Sequence, residues 1–274
     1  MIEGEFILAA GSYEAFATVV VDAANEFAGS HDAVLFLGFK RLRERIKKTA
    51  KSWLGSFPPE VDYRCPIERF GSKYGGWDVA VDFVNEKSIV YSFGLGDDAS
   101  FDSALIETFG VMVHAFDPTP RAIEWLAKQS LSPKFKFYDY GLANMDGSLS
   151  FNPPEDASWV SYTVLDRPTT AKQAVNLPVK RLSTIMRDLG HSKIDVLKMD
   201  IEGSEYAVIE DMQRASIYPT QILIEFHHRF PSVGVQKTKR AVSNLRKMGY
   251  YLFSVSNTGE DFCFVRKQTT EIGK

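Results

Sequence analysis

The last two apolar runs of the chain, Tyr250–Ser256 and Asp261–Lys267, are joined only by Asn257-Thr258-Gly259-Glu260. So short a link makes an antiparallel hairpin, because a parallel crossover needs a dozen or more residues. The chain before them is organised differently. From about residue 88, short β-branched or aromatic runs alternate with amphipathic helical segments, the pattern of a parallel sheet covered by helices. The sequence therefore predicts a mostly parallel sheet that ends in an antiparallel hairpin.

Ser88–Phe93 reads as the first strand, followed by the turn Gly94-Leu95-Gly96. Ser100 is placed to cap the next helix, Phe101, Leu105 and Phe109 line its inner face, and Gly110 is placed to end it. Val111–Phe116 is the second strand and ends at Asp117, after which Thr119-Pro120 opens a helix with a cap and a first-turn proline. Lys134–Tyr140, Ile194–Asp200 and Gln221–His227 are the third, fourth and fifth strands. Helices are expected over Ser204–Met212 and Val235–Met248, the latter stopped by Gly249. Asn152 to Leu177, rich in Pro, Ser and Thr, reads as a long excursion over the sheet.

Residues 1–60 fall outside this alternation and read as a helical extension. Lys40–Lys51 carries seven basic residues against Glu44, with Leu42, Ile46 and Trp53 on one stripe; a helix packed by that stripe, its basic groups in water, is the expectation. A net charge of −3 over 274 residues gives no global attraction to nucleic acid. Two cysteines, Cys65 and Cys263, without CxxC spacing or a nearby histidine suggest neither a disulfide framework nor zinc. No signal pattern and no unbroken membrane-length apolar run is present, so a soluble, cytoplasmic protein is expected.

Gly94-Leu95-Gly96-Asp97-Asp98-Ala99 fits G-x-G-x-x-A, in which glycines let the backbone approach a ligand. Asp117 lies close to the ~20-residue offset at which an acid binds a ribose hydroxyl. The loop is acidic: Asp97, Asp98 and Asp102 surround it and no Lys or Arg occurs between Lys87 and Arg121. That charge is poorly suited to a pyrophosphate and suits S-adenosylmethionine, which has no phosphate and carries a sulfonium and an ammonium.

The most distinctive segment is Ile194-Asp195-Val196-Leu197-Lys198-Met199-Asp200-Ile201-Glu202-Gly203-Ser204-Glu205, which crowds charge onto the end of a buried strand. Together with Ile224-Glu225-Phe226-His227-His228, it resembles the FkbM-type S-adenosylmethionine-dependent methyltransferases. Ser92–Asp98, Phe116–Pro120 and Gly71–Trp77 are similar to segments of one branch, so the likeness runs over about residues 70–265. It implies a Rossmann-like, doubly wound α/β domain, placed here at 61–268 with a tail at 269–274, and O-methylation of a hydroxyl on a saccharide or small natural product.

The cofactor-contact set is taken as Gly94, Gly96, Asp98, Asp117, Asp139, Asp200 and Glu202. If the fourth and fifth strands end level, Lys198 lies beside Glu225 and Asp200 beside His227, which predicts a Lys198–Glu225 ion pair beneath the site. His227 is the candidate general base, with Asp200 as orienting partner or alternative base. Glu205 is expected to complement the dipole of the following helix. Asp200, Glu202 and His227 would together suit a divalent ion, but no spacing demands one and no metal is assigned. Trp77, Trp159 and Tyr162 are candidates for stacking on an acceptor. The rival readings are an NAD-dependent oxidoreductase, disfavoured by the acidic loop and the hairpin, and a catalytically inactive binding protein.

Overall fold

The computed structural model describes residues 57–156 and 161–267; the basic segment Lys40–Lys51 and Trp159 lie outside them. Seven strands form the main sheet: β3 (Ile89–Phe93), β4 (Met112–Phe116), β5 (Phe135–Tyr138), β9 (Val196–Met199), β10 (Gln221–Glu225), β11 (Tyr250–Val255) and β12 (Asp261–Arg266). Their order is β11-β12-β10-β9-β3-β4-β5. β5, β4, β3, β9 and β10 run parallel, and β12 pairs antiparallel with both β10 and β11, so the four-residue link makes the expected hairpin. This is a Rossmann-like doubly wound sheet. The chain winds outward from β3 to β5 and then returns to β9 on the other side of β3, which leaves the crevice for a ligand at the ends of β3 and β9.

Continuous apolar runs make these central strands. All four residues of β9 are buried, and β3 is buried from Val90 to Phe93. Val90, Val113, Val196, Leu223 and Val265 face a layer made by α1 (Ser100–Phe109) and the hairpin of β1 (Ile67–Phe70) and β2 (Trp77–Ala80). Leu197, Ile222 and Ile224 alternate to the opposite face and are equally buried, so both faces are covered. α3 (Leu182–Leu189), α4 (Glu205–Arg214) and α5 (Gly234–Lys247) pack in series, and α5 reaches β11.

The helix ends follow the sequence with one correction. Gly110 closes α1 in the left-handed conformation (φ 67), and Thr119 accepts from the Ala122 amide to cap α2 (Pro120–Leu126). Ser100, however, is the first residue of α1 and not its cap. The Asp98 carboxylate accepts from the Ser100 amide at 2.8 Å, and the freed Ser100 hydroxyl accepts from the Ser72 amide at 2.7 Å.

The excursion is more ordered than its composition suggests. β6 (Gly141–Leu142), β7 (Gly147–Phe151) and β8 (Val175–Lys180) form a separate three-stranded sheet that anchors both its ends. Between them, Asn152 and Thr163 exchange backbone hydrogen bonds, and Thr163 and Val164 both donate to the carbonyl of Glu202. Among the described residues no helix is long and apolar enough to cross a membrane.

Candidate active site

A cavity of about 1290 Å³ opens at the ends of β3, β4, β9 and β10. Its floor is the glycine turn. Gly94 (φ 80) and Gly96 (φ 59) are both left-handed, and a Cβ on Gly94 would run into the carbonyl of Asp200. The turn is tied to its neighbours on both sides: Gly94 donates to Phe116 O at 3.0 Å, and Asp200 donates to Phe93 O at 3.2 Å. Asp117 is buried and braces the turn, accepting from the Gly96 amide at 2.9 Å and from the amide and hydroxyl of Thr119 at 2.9 and 2.6 Å. Burial pushes its carboxyl up and these hydrogen bonds partly offset that.

Asp98 also lines the cavity, but as a strut. It accepts from the Ser72 hydroxyl at 2.6 Å and so draws the 71–76 loop over the turn. Burial would raise its carboxyl; the hydrogen bonds from Ser100 and Ser72 outweigh this and hold it below its usual range. Asp139 is exposed and does not line the cavity. β5 ends at Tyr138, and Gly141 and Leu142 turn inward in its place.

Lys198 does not pair with Glu225. The register sets Lys198 beside Leu223, so β10 stands two residues from the level-ended arrangement and Glu225 comes level with Asp200. The Lys198 ammonium instead donates to Gly94 O at 2.6 Å, beneath the turn, with the Trp77 ring 5.8 Å away. The cation missing from the acidic loop's own sequence is thus supplied by β9; burial raises the Asp102, Asp117 and Asp200 carboxyls, and the Lys198 charge offsets part of that rise. Lys198→Met should destabilise the fold by roughly 1–3 kcal/mol, the cost of stranding a buried acceptor. An unchanged urea midpoint would show that this lysine is not holding the turn.

Above the turn, three carboxylates surround one imidazole. His227 Nδ1 lies 2.9 Å from Glu205 Oε1, and Nε2 lies 3.3 Å from Glu202 Oε2 and 3.8 Å from Asp200 Oδ1. Glu205 is fully buried and does more than complement a helix dipole: it accepts from the amides of Ile201 and Gly203 as well as facing His227. Burial alone would lower the His227 pKa, but Glu205 and Glu202 push it up to about 12. With no other cation between these carboxylates the imidazole favours its protonated form, which weighs against its taking a proton from the acceptor. Burial raises Asp200 to about 6, and burial with the Asp200 charge beside it raises Glu225 to about 8. His228 does not line the cavity, as strand alternation predicts.

Asp200, Glu202 and His227 offer three ligand atoms within 4.8 Å of one another, the one such group of His, Cys, Asp and Glu side chains among the described residues. Sequence reasoning missed Glu205 as the partner of His227, although three carboxylates within six residues gave a signal that an imidazole on the next strand would be enclosed. It also missed Arg167 and Phe230, which line the cavity with the guanidinium 5.6 Å from the ring centroid. Tyr162 reaches the cavity, whereas Trp77 lines it from within the core at 5% exposure.

A doubly wound sheet with a terminal hairpin, a glycine cradle and an acid at the end of the next strand defines the S-adenosylmethionine-dependent methyltransferase class. The close backbone approach at Gly94 and the buried Asp117 fit that cofactor. The chain belongs to the FkbM methyltransferase domain family, whose model matches residues 84–252 and whose cofactor is S-adenosylmethionine. It is 27% identical over 180 residues to the rat protein called probable methyltransferase-like protein 24, covering 65% of this chain and 41% of that one. The human counterpart is 27% identical over 160 residues, covering 58% and 37%. The chain therefore spans about two-fifths of the length of these relatives. Similar solved structures include the FkbM methyltransferase of Methylobacillus flagellatus (16% identity, TM-score 0.41, 66% of this chain and 44% of that one). Another is Aeropyrum pernix fibrillarin with natively bound S-adenosyl-L-methionine (10% identity, TM-score 0.38, 76% and 84%).

Proposed function

We propose that this chain methylates a hydroxyl group of a saccharide or other small hydroxylated molecule. The observation that carries the reading is one continuous cavity that joins the cofactor cradle, Gly94, Gly96 and Asp117, to the cluster of Asp200, Glu202, Glu225 and His227. S-adenosylmethionine, when bound, supplies a methyl group already activated on a sulfonium, so the protein's task is to orient an oxygen and draw off its proton. The acceptor oxygen forms a bond to the methyl carbon as the carbon–sulfur bond breaks, and the hydroxyl proton passes to the carboxylates at the ends of β9 and β10. Asp200 is the residue on which this depends most, because its Oδ1 is out of solvent and has no hydrogen-bond partner among the described residues. Glu202 and His227 hold the geometry around it.

A wall rich in carboxylate oxygens accepts hydroxyl donors, which favours a hydroxylated acceptor over an apolar one. The volume exceeds the roughly 300–1,000 Å³ of ordinary ligand pockets, enough for cofactor and acceptor together. Tyr74, 85% exposed at the cavity edge, offers the acceptor an aromatic face. The two cysteines are free thiols, consistent with the reducing cytoplasm. Calorimetry with S-adenosylmethionine, S-adenosylhomocysteine and NAD tests the cofactor half of the reading. One equivalent of either sulfur compound and no NAD should bind; binding of NAD alone would overturn it.

A further inference from the structure

We propose that Asp200, Glu202 and His227 bind one divalent metal ion, which in turn holds an oxygen of the acceptor. Ligand atoms about 2.0–2.2 Å from a common ion stand roughly 3.0–3.6 Å apart at octahedral to trigonal angles. The spacings from His227 Nε2, 3.3 Å to Glu202 and 3.8 Å to Asp200, lie at or near that range, and all three ligand atoms fall within 4.8 Å of one another, so side-chain rotation closes the set.

Three independent features support an ion here. Asp200 Oδ1 is cut off from solvent without a hydrogen-bond partner among the described residues, an arrangement that calls for a missing cation or water. The side chain of His227 is 4% exposed and its Nδ1 faces Glu205, so the ring is oriented with Nε2 toward the two other carboxylates. This is the carboxylate–histidine pairing that fixes an imidazole ligand, and Glu205 is itself locked by the Gly203 and Ile201 amides. Finally, Glu202 adopts a left-handed backbone (φ 51) that Thr163 and Val164 stabilise by donating to its carbonyl, which fixes where its carboxylate starts.

One imidazole and two carboxylates suit manganese, iron(II) or zinc better than magnesium or calcium, which prefer all-oxygen shells. Since all three ligands sit on the cavity wall, the remaining coordination positions face the acceptor. The ion's role rests on the methyl-transfer reading, whereas its binding does not.

The test uses the full chain, stripped with chelator and titrated with Mn²⁺ while free Mn²⁺ is followed by electron paramagnetic resonance; S-adenosylhomocysteine binding is measured on the same samples. One equivalent should bind. Asp200→Asn and Glu202→Gln should each weaken binding at least 10-fold, and Glu205→Gln by about 10–100-fold through the histidine, with thermal melts confirming folded variants. Absence of a stoichiometric site for both Mn²⁺ and Zn²⁺, or affinity unchanged in Asp200→Asn and Glu202→Gln, overturns the proposal. Mn²⁺ binding without S-adenosylhomocysteine binding would sink the cofactor reading and leave the ion site standing; the reverse result would do the opposite.

Discussion

Asp200→Asn should lower kcat by roughly 10²–10⁴-fold, the range over which a positioned proton-handling group contributes, while leaving S-adenosylhomocysteine affinity within a few-fold of wild type. The two effects separate because Asp200 meets the cofactor side and the acceptor side with different atoms. Its backbone carbonyl abuts the glycine turn, and its amide donates to Phe93 O. Neither depends on the side chain. Oδ1 makes no hydrogen bond that asparagine would break, and the change removes a buried negative charge beside Glu202 and Glu225. Thermal stability should therefore hold or rise. The measurement is S-adenosylhomocysteine formation at saturating donor with a responsive hydroxylated acceptor, alongside calorimetry and a melt. Normal turnover in a folded variant would remove Asp200 from the chemistry and with it the proposed role of the cluster.

The features legible in the sequence are those fixed by short-range rules. A four-residue link cannot cross a sheet, so the β11–β12 hairpin was bound to be antiparallel, and the apolar runs of β3, β9 and β10 could hardly be anything but central strands. β1, β7 and β8 lack that signal. Three of the four residues of β1 are exposed, and β8 carries Pro178, which argues against a central strand; β8 nonetheless lies between β6 and β7, because the two residues of β6 pair only with Val179 and Lys180 and leave Pro178 paired on one side alone.

In the site, each misplacement traces to register or to a turn. Strand periodicity correctly put Lys198, Asp200 and Glu225 on one face, but the offset of β10 against β9 is set by packing and loop length, which no local pattern encodes. Released from Glu225, Lys198 finds the carbonyl of a glycine turn more than a hundred residues earlier in the chain. His227 lines the cavity with Asp200, but two residues beyond the Glu225 that stands level with it. Its charge state could not be read from its own strand, because the groups that set it arrive on the loop after β9 and at the start of α4.

Gly94→Ala should abolish measurable S-adenosylhomocysteine binding and destabilise the fold by several kcal/mol. Two costs combine. A left-handed φ of 80 costs a residue with a Cβ about 1–2 kcal/mol, and that Cβ would collide with the Asp200 carbonyl, a backbone atom that can give way only if β9 shifts. Such a shift pulls at the Lys198–Gly94 hydrogen bond and disturbs the Gly96–Asp117 brace, so the damage converges on the cradle. Gly190→Ala separates the two costs. Gly190 is also left-handed, at φ 71, but a Cβ there meets nothing within 4 Å, so only the conformational cost applies and cofactor affinity should be unchanged. The excess loss of stability in Gly94→Ala over Gly190→Ala then measures the collision at the turn. Should both variants bind S-adenosylhomocysteine as tightly as wild type, the Gly94–Gly96 turn is not where the cofactor lies, and the site must be sought elsewhere along the ends of the parallel strands.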